Sequence, residues 1–188
     1  MHCEALVDLR VRTLQLFDER GSLSLENNFG GQFPNLDLEK ITKTLTIVGG
    51  GLFLPTGLTA LPPEIIVHGD LAIVNQNSLT HLRRVTVRGD IFLQNCPSLE
   101  RIERITAGGG LTVYNCQRLV SLSAAAARQD LTVLRCPLLS VGEGVQVWGN
   151  LLVEAINYRP GVFVGKGTYI LPPEQNTAGN ICTISPEW

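Results

Sequence analysis

Residues 87–102 read VRGDIFLQNCPSLERI, and the same order of glycine, apolar, asparagine and cysteine positions returns 20 residues later. Each unit has an aliphatic residue equivalent to Ile91 and a second one two positions further on. The equivalent pairs are Leu71 and Ile73, Ile91 and Leu93, Leu111 and Val113, Leu131 and Val133, and Leu151 and Val153. Internal repetition with a period of 20 to 50 residues is the mark of solenoids and related arrays.

Each unit combines a short strand with a tight turn. The four residues that begin at Leu71 or Ile91 alternate with period two, which places the first and third side chains inward on a β-strand. A pair such as Gly89-Asp90 precedes most of these strands, and glycine suits a tight turn. Because no unit can bury its leucines alone, the units must stack about 4.8 Å apart. The sequence predicts an all-β, single-domain parallel β-solenoid of about seven to eight coils, with 20-residue repeats and little helix.

The spacing becomes irregular at both ends, which predicts caps. We expect one repeat domain over 1–188, with an N-terminal cap at 1–20, solenoid repeats at 21–156 and a C-terminal cap or tail at 157–188. Solenoids need caps because a bare terminal coil exposes core and unpaired strand edge. Two interpretations of 157–188 stay open: it folds over the last coil, or it is an arm that docks elsewhere.

Composition and charge exclude several classes of function. Hydrophobic residues make up 44% of the chain and charged residues only 17%, so a packed domain is expected rather than a disordered one. The net charge of −2 leaves no electrostatic footprint for nucleic acid or for an anionic membrane. The N-terminus lacks the pattern of a secretory leader, and no apolar run reaches membrane-spanning length. We therefore expect no membrane span and an intracellular location by default, with a secreted effector or a truncated ectodomain as alternatives.

Five cysteines are present, and three of them share one position in successive units. These three are Cys96, Cys116 and Cys136, while Cys3 and Cys182 stand outside the regular repeats. Their position predicts an inward column of structural thiols. Neither a Cys-x-x-Cys pair nor a histidine cluster is present, so no metal site is predicted. The segment 161–168 is glycine-rich but lacks the spacing of a phosphate-binding loop, and no cofactor is predicted.

Two polar columns accompany the repeat. The side chains of Asn75, Asn95 and Asn115 are expected to satisfy backbone groups of the turn that leaves each strand. Asp70, Asp90 and Asp130 stack at the preceding turn, where Gly110 and Asn150 interrupt the column. A β-helix enzyme acting on carbohydrate would need acidic residues gathered on one face for acid–base chemistry. No such cluster can be assembled, and the sequence predicts that the chain is not an enzyme.

Inward positions build the core, so a binding surface must lie at outward positions of the strands. Phe92, Tyr114, Leu134 and Trp148 form what we call the aromatic stripe. Its predicted flanking residues are Arg88, Gln94 and Arg128. Exposed aromatic residues beside arginine have the composition of an interface hot spot. A protein partner is predicted, with carbohydrate as a possible ligand; the alternative is that these residues pack beneath the tail or a capping loop.

The repeat also resembles known families. The pattern of residues 87–102, with Gly89-Asp90, Asn95-Cys96, Leu99 and Ile102, is similar to a leucine-rich repeat of the cysteine-bearing kind and to the coils of receptor L domains. The resemblance covers roughly 21–156 and implies ligand or partner binding. The chain departs from it in two ways, since the Leu-Pro steps of the bacterial repeats are missing from the regular 20-residue units and the cysteine number is odd.

Three functions follow as expectations. The first is a non-enzymatic protein-recognition or scaffold module that binds through the aromatic stripe. The second is a structural subunit in which the same surface is buried in a larger assembly. The third is a carbohydrate-active β-helix enzyme.

Overall fold

The computed structural model describes the strands at 5–8, 13–17 and 23–26, residue 38, and residues 41–54, 56–141, 144–154 and 162–171. Eighteen strands form two sheets, and the described residues contain no α-helix. The chain is an all-β parallel β-solenoid of stacked 20-residue coils, which confirms the predicted fold. It makes about six turns, slightly fewer than the seven to eight coils predicted.

The two sheets run along opposite parts of the coil. The eleven-stranded sheet contains β1 (Ala5–Asp8), β2 (Thr13–Phe17), β3 (Leu23–Glu26), β4 (Thr44–Val48), β6 (Glu64–Val67), β8 (His81–Val87), β10 (Arg101–Ala107), β12 (Ser121–Ala127), β14 (Ser140–Val141), β15 (Gln146–Val147) and β17 (Phe163–Val164). The seven-stranded sheet contains β5 (Leu52–Phe53), β7 (Leu71–Val74), β9 (Ile91–Gln94), β11 (Leu111–Tyr114), β13 (Leu131–Leu134), β16 (Leu151–Glu154) and β18 (Thr168–Leu171).

Parallel pairing keeps equivalent residues in contact across the regular coils. On the seven-stranded sheet Ile91 stands beside Leu71 on one side and Leu111 on the other. The first and third residues of these strands are buried and the second is not, as the period-two pattern predicts. Successive coils therefore place aliphatic side chain on aliphatic side chain, and the buried residues form one continuous core.

The three longest strands, β8, β10 and β12, each bend at a corner, which gives their coils a third straight side. In β8 the outward Arg83 is followed by a second outward residue, Arg84, and Val85 turns inward again. Arg84 has a φ of 50°, and the equivalent residues Arg104 and Ala124 have φ values of 56° and 48°. The left-handed backbone turns the chain at this point, so residues 81–83, 85–87 and 91–94 lie on three sides.

The ends of the stack depart from the regular coil. At the N-terminal end β1, β2 and β3 pair antiparallel, and β3 then pairs parallel with β4. At the other end β17 and β18 continue both sheets with parallel pairing. Val162 and Val164 pack against the core there. The final residues 172–188, on which the two interpretations of the tail depend, lie outside the described residues, as do Cys3 and Cys182.

Aspartate and glycine interlock between neighbouring coils. The backbone N–H of Asp90 donates to Asp70 Oδ1 at 2.7 Å, and that of Gly110 donates to Asp90 Oδ1 at 2.6 Å. A Cβ atom added to Gly109 would collide with Asp90 Oδ1, because the carboxylate folds over that position. The interlock also explains why Gln129, and not a glycine, stands at the position equivalent to Gly109. The preceding coil has Gly110 in place of the aspartate, so no carboxylate folds over that position.

This interlock predicts the outcome of a double-mutant cycle. Gly109→Ala should lower the free energy of unfolding by about 2 kcal/mol, because its methyl group displaces a charge-assisted hydrogen bond. In an Asp90→Ala background the same substitution should cost less than about 0.5 kcal/mol, since the obstructing carboxylate is gone. Urea denaturation of the four proteins measures both costs. Equal costs of Gly109→Ala in the two backgrounds would show that the collision is with backbone and not with the carboxylate.

Candidate functional site

The outer side of the seven-stranded sheet carries two rows of side chains. The strand register places Phe53, Ala72, Phe92, Thr112, Thr132, Leu152 and Tyr169 in one row. Val74, Gln94, Tyr114 and Leu134 form the second row. We call the surface made by these eleven residues the uncharged face. Neighbouring strands hold each row in a fixed line, so the surface is flat and its side chains are preorganised.

Charge distinguishes this face from the outer side of the other sheet. None of its eleven residues is Asp, Glu, Lys, Arg or His. Glu154 occupies the next position of the second row, and only 8% of its surface is exposed. By contrast, the outward positions of the eleven-stranded sheet include Arg83, Glu103 and Glu64. The outward row Thr46, Ile66, Thr86, Thr106, Ala126, Gln146 and Phe163 of that sheet is uncharged as well. The uncharged face therefore differs in having two adjacent rows without charge.

The uncharged face has the size of a small interface. With about 4.8 Å between strands and about 3.3 Å per residue, seven strands of at most four residues cover roughly 30 Å by 13 Å, or at most about 400 Å². A standard protein–protein interface buries about 800 Å² on each partner. A partner that makes such an interface would therefore also contact residues at the edges of this face.

The structure divides the predicted binding residues between two places. Phe92, Gln94, Tyr114 and Leu134 lie together on the uncharged face. Arg88, Arg128 and Trp148 do not lie on it. They follow the last paired residues of β8, β12 and β15, and their backbone N–H groups donate to Val67, Ala107 and Ala127 of the preceding coil. A two-residue turn, such as Gly89-Asp90 or Gln129-Asp130, separates this column from the seven-stranded sheet, so the aromatic stripe is not one continuous surface.

Trp148 has its own aromatic neighbour. The rings of Trp148 and Phe163 meet edge to face, with 6.2 Å between their centroids and 65° between their planes. Both residues are exposed, at 45% and 54%. They form a separate apolar patch near the C-terminal end of the eleven-stranded sheet.

Three residues beside or on the uncharged face were missed from the sequence. Phe53 and Tyr169 extend its first row at the two ends of the sheet. They were missed because the coils there are shorter than 20 residues, which breaks simple counting. The guanidinium of Arg135 lies 5.6 Å from the centroid of the Tyr114 ring, close enough for a cation–π contact. Arg135 lies 20 residues after Asn115, at the position that Asn75, Asn95 and Asn115 occupy in earlier coils. This spacing could have placed Arg135 beside the uncharged face.

The asparagine column forms the edge of the uncharged face, but its hydrogen bonds differ from those expected. Asn95 Nδ2 donates to Asn75 Oδ1 at 3.0 Å, and Asn115 Nδ2 donates to Asn95 Oδ1 at 2.8 Å. The amides thus bond to one another along the stack and not to loop backbone groups. The three residues have φ values of 54° to 56°, a conformation that asparagine tolerates better than most residues.

The aspartate column has a structural use in each place where it occurs. Asp70 and Asp90 accept backbone N–H groups of the next coil, as described above, and Asp130 Oδ1 accepts the N–H of Asn150 at 2.7 Å. One carboxylate oxygen per coil is therefore engaged in holding the turn. These three carboxylates do not supply a free acid–base pair.

The cysteine column lies inside the core. Cys96, Cys116 and Cys136 are fully buried with free thiols. The Cys116 and Cys136 thiols donate to the carbonyl oxygens of Tyr114 and Leu134, at 3.6 and 3.3 Å. The hydrogen bond with the Cys136 thiol and burial raise the pKa of the Cys116 thiol to about 12. The pKa of Cys96 is also raised, by its hydrogen bond with Cys116 and by burial. At neutral pH both thiols are protonated and chemically inert.

A search for metal ligands and membrane segments found neither among the residues that the structure describes. No group of three or more His, Cys, Asp or Glu side chains there is arranged to hold a metal ion. No helix there is both long and apolar enough to cross a membrane.

Comparisons with protein-family models, with curated proteins and with solved structures each found no match to this chain. Of the predicted resemblance, the structure shows the architecture alone: a parallel β-solenoid with turns of about 20 residues. The function must be argued from the surfaces of the solenoid itself.

The asparagine column leads to a stability prediction. Asn95→Ala should lower the melting temperature by about 5 °C, because it removes two amide hydrogen bonds and places alanine at a positive φ. Asn95→Gly is the matched control, since it removes the same hydrogen bonds but tolerates that backbone. Circular dichroism melts should place Asn95→Gly between wild type and Asn95→Ala. A melt of Asn95→Ala equal to that of wild type would contradict a structural role for the column.

Proposed function

We propose that this chain is a non-enzymatic recognition or scaffold module that binds a protein partner through the uncharged face. The observation that carries the proposal is the complete lack of charged residues among the eleven side chains of that face, together with its aromatic residues Phe53, Phe92, Tyr114 and Tyr169. The centres of protein interfaces are depleted in charge and enriched in aromatic residues in the same way.

The alternative use of such a surface is simple contact with water, and the composition argues against it. An antiparallel or solenoid sheet that faces only solvent gains solubility from charged residues at outward positions, as the eleven-stranded sheet does with Arg83 and Glu103. Leaving aliphatic and aromatic side chains at eight of the eleven outward positions has an aggregation cost unless a partner covers them. Binding of a partner provides that cover.

The rigidity of the face favours binding as well. Its strands are held by parallel pairing on both sides, so little conformational entropy is lost when a partner docks. The Tyr114 ring and the Arg135 guanidinium offer an amphipathic contact at one edge. A partner that covers the face and this edge would approach the area of a standard interface.

Three further parts of the proposal concern the family, the non-enzymatic function and the cellular location. We propose that the chain belongs with leucine-rich-repeat or receptor L-domain-like binding modules, supported by the repeat pattern of residues 87–102 and by the solenoid fold. The structural engagement of Asp70, Asp90 and Asp130 supports a non-enzymatic function. The free thiols of Cys96, Cys116 and Cys136 support an intracellular location.

A pair of matched double variants tests the proposal. Thr112→Glu with Thr132→Glu places two carboxylates at the centre of the uncharged face, on adjacent strands. Thr86→Glu with Thr106→Glu makes the same change on adjacent strands of the other sheet. Each variant is first shown to fold by circular dichroism. The wild type and both variants are then used to capture proteins from an extract of the cells that make this chain, and binding of the purified captured protein is measured by calorimetry.

The proposal expects the first double variant to weaken binding more than about tenfold, since burying an unpaired charge at an interface centre costs several kcal/mol. The second should bind within about twofold of wild type, because rim and remote charges have small effects on affinity. Equal weakening by both variants, or by the second alone, would contradict the assignment of this face.

A further inference from the structure

A cleft opens on the third side of the coil, away from the uncharged face. It has a volume of about 470 Å³. Its walls are the segment 59–63 of one coil and residues from Leu79 to Arg84 of the next. Binding sites for small organic molecules have volumes of about 300 to 1,000 Å³.

Two prolines explain why the stack opens at this place. Residues 81–83 of β8 pair with residues 101–103 of the following coil. Towards the preceding coil β8 pairs only at Val85, Thr86 and Val87, with residues 65–67. The residues that would continue this pairing include Pro62 and Pro63, which have no N–H to donate to a strand. The segment 59–63 therefore does not stack on 81–83, and a gap remains between the coils.

The walls of the cleft combine an apolar surface with cationic and hydroxyl groups. Leu61 and Leu79 are aliphatic residues of the lining, while Thr80, His81, Arg83 and Arg84 are its polar residues. The His81 ring nitrogen Nδ1 lies 2.9 Å from Thr80 Oγ1, which fixes these two side chains relative to each other. Such a lining suits a ligand with an apolar body and an anionic group.

The glutamates interleaved in the sequence neutralise only part of the positive charge at the cleft. Arg118 pairs with Glu100 at 2.7 Å, and the Arg83 guanidinium lies 3.6 Å from Glu103. Glu64, one coil below Arg84, accepts a hydrogen bond from Thr44 on its other side. Within the described ranges of the chain, Arg84 makes no ion pair, and neither does Arg104 above it.

We propose that this cleft binds a small organic molecule carrying a phosphate or sulfate group. The Arg84 guanidinium holds the oxyanion, because its planar set of donors matches such groups in a bidentate manner. With His81 Nδ1–H donating to Thr80 Oγ1, the Thr80 hydroxyl donates a further hydrogen bond to the oxyanion, and the body of the ligand rests against Leu61 and Leu79. The Arg104 guanidinium, in the equivalent position of the next coil, adds attraction without direct contact.

Phenyl phosphate is a suitable probe because it combines one phosphate with an apolar ring. It is titrated into the full-length ¹⁵N-labelled chain at constant ionic strength, and amide shifts are followed by NMR. The proposal expects saturable shifts confined to residues around Thr80 to Arg84. Arg84→Asn should weaken binding about tenfold, the effect of losing a charge-assisted hydrogen bond. Asparagine is chosen because it tolerates the positive φ of Arg84, as it does at Asn95.

Arg128→Asn is the matched control, since it removes an exposed arginine from a different column of the coil. Its affinity should stay within about twofold of wild type, as expected of a distant surface charge. Thr80→Val gives an independent second variant, expected to weaken binding about threefold through loss of one hydrogen bond. The absence of saturable shifts, or equal weakening by Arg84→Asn and Arg128→Asn, would overturn the proposal.

This inference does not depend on the proposed partner binding. The double variant Thr112→Glu with Thr132→Glu lies on another side of the coil and should bind phenyl phosphate as wild type does. Loss of protein capture and loss of phosphate binding are therefore separable results.

Discussion

Parallel stacking in a 20-residue register is the constraint on which the rest of the structure depends. It brings each side chain of the regular coils into contact with its own equivalents in the coils above and below, as with Leu71, Ile91 and Leu111. An inward position is then apolar in nearly every described coil, with the buried Gln76 as an exception, and a turn position must fit beneath the next turn. The interlock of Asp90 with Gly109 shows how closely the coils approach, since even a methyl group is excluded there.

The same constraint separates structural from functional positions. Buried columns such as Cys96, Cys116 and Cys136 form the core. Outward columns are free to differ from one side of the coil to another, because they do not affect the stacking of the core. One side of this solenoid carries the eleven residues of the uncharged face, several of them aromatic, and another side carries arginines around a cleft. Each side is a flat or shallow surface held by strands, so a ligand meets it with little rearrangement.

The repeat made the architecture predictable, while local deviations from it were not. Period-two alternation and 20-residue spacing were enough to place Ile91 and Leu93 in the core and Phe92 and Gln94 outside. The corner at Arg84 was not predicted, because a left-handed arginine has no sequence signature comparable to glycine. The number of coils was overestimated because the first strands turn antiparallel instead of adding parallel coils.

The candidate site was predicted in part for the same reason. Counting by 20 brought Phe92, Tyr114 and Leu134 together correctly, since all three lie within regular strands of one sheet. Trp148 was grouped with them because outward positions on two sides of a coil look alike in sequence until the turn between them is placed. The cleft was missed because it arises from two prolines, Pro62 and Pro63, in a coil whose register is shortened.

The central claim is that a partner protein docks on the uncharged face, and photo-crosslinking measures this most directly. A benzophenone-bearing amino acid is placed at Tyr114 on that face or at Thr106 on the outer side of the other sheet, and the cells that make the chain are irradiated. The account predicts one dominant adduct from Tyr114, formed with a single protein, and none from Thr106. An adduct of that protein from Thr106 at equal or greater yield would contradict it.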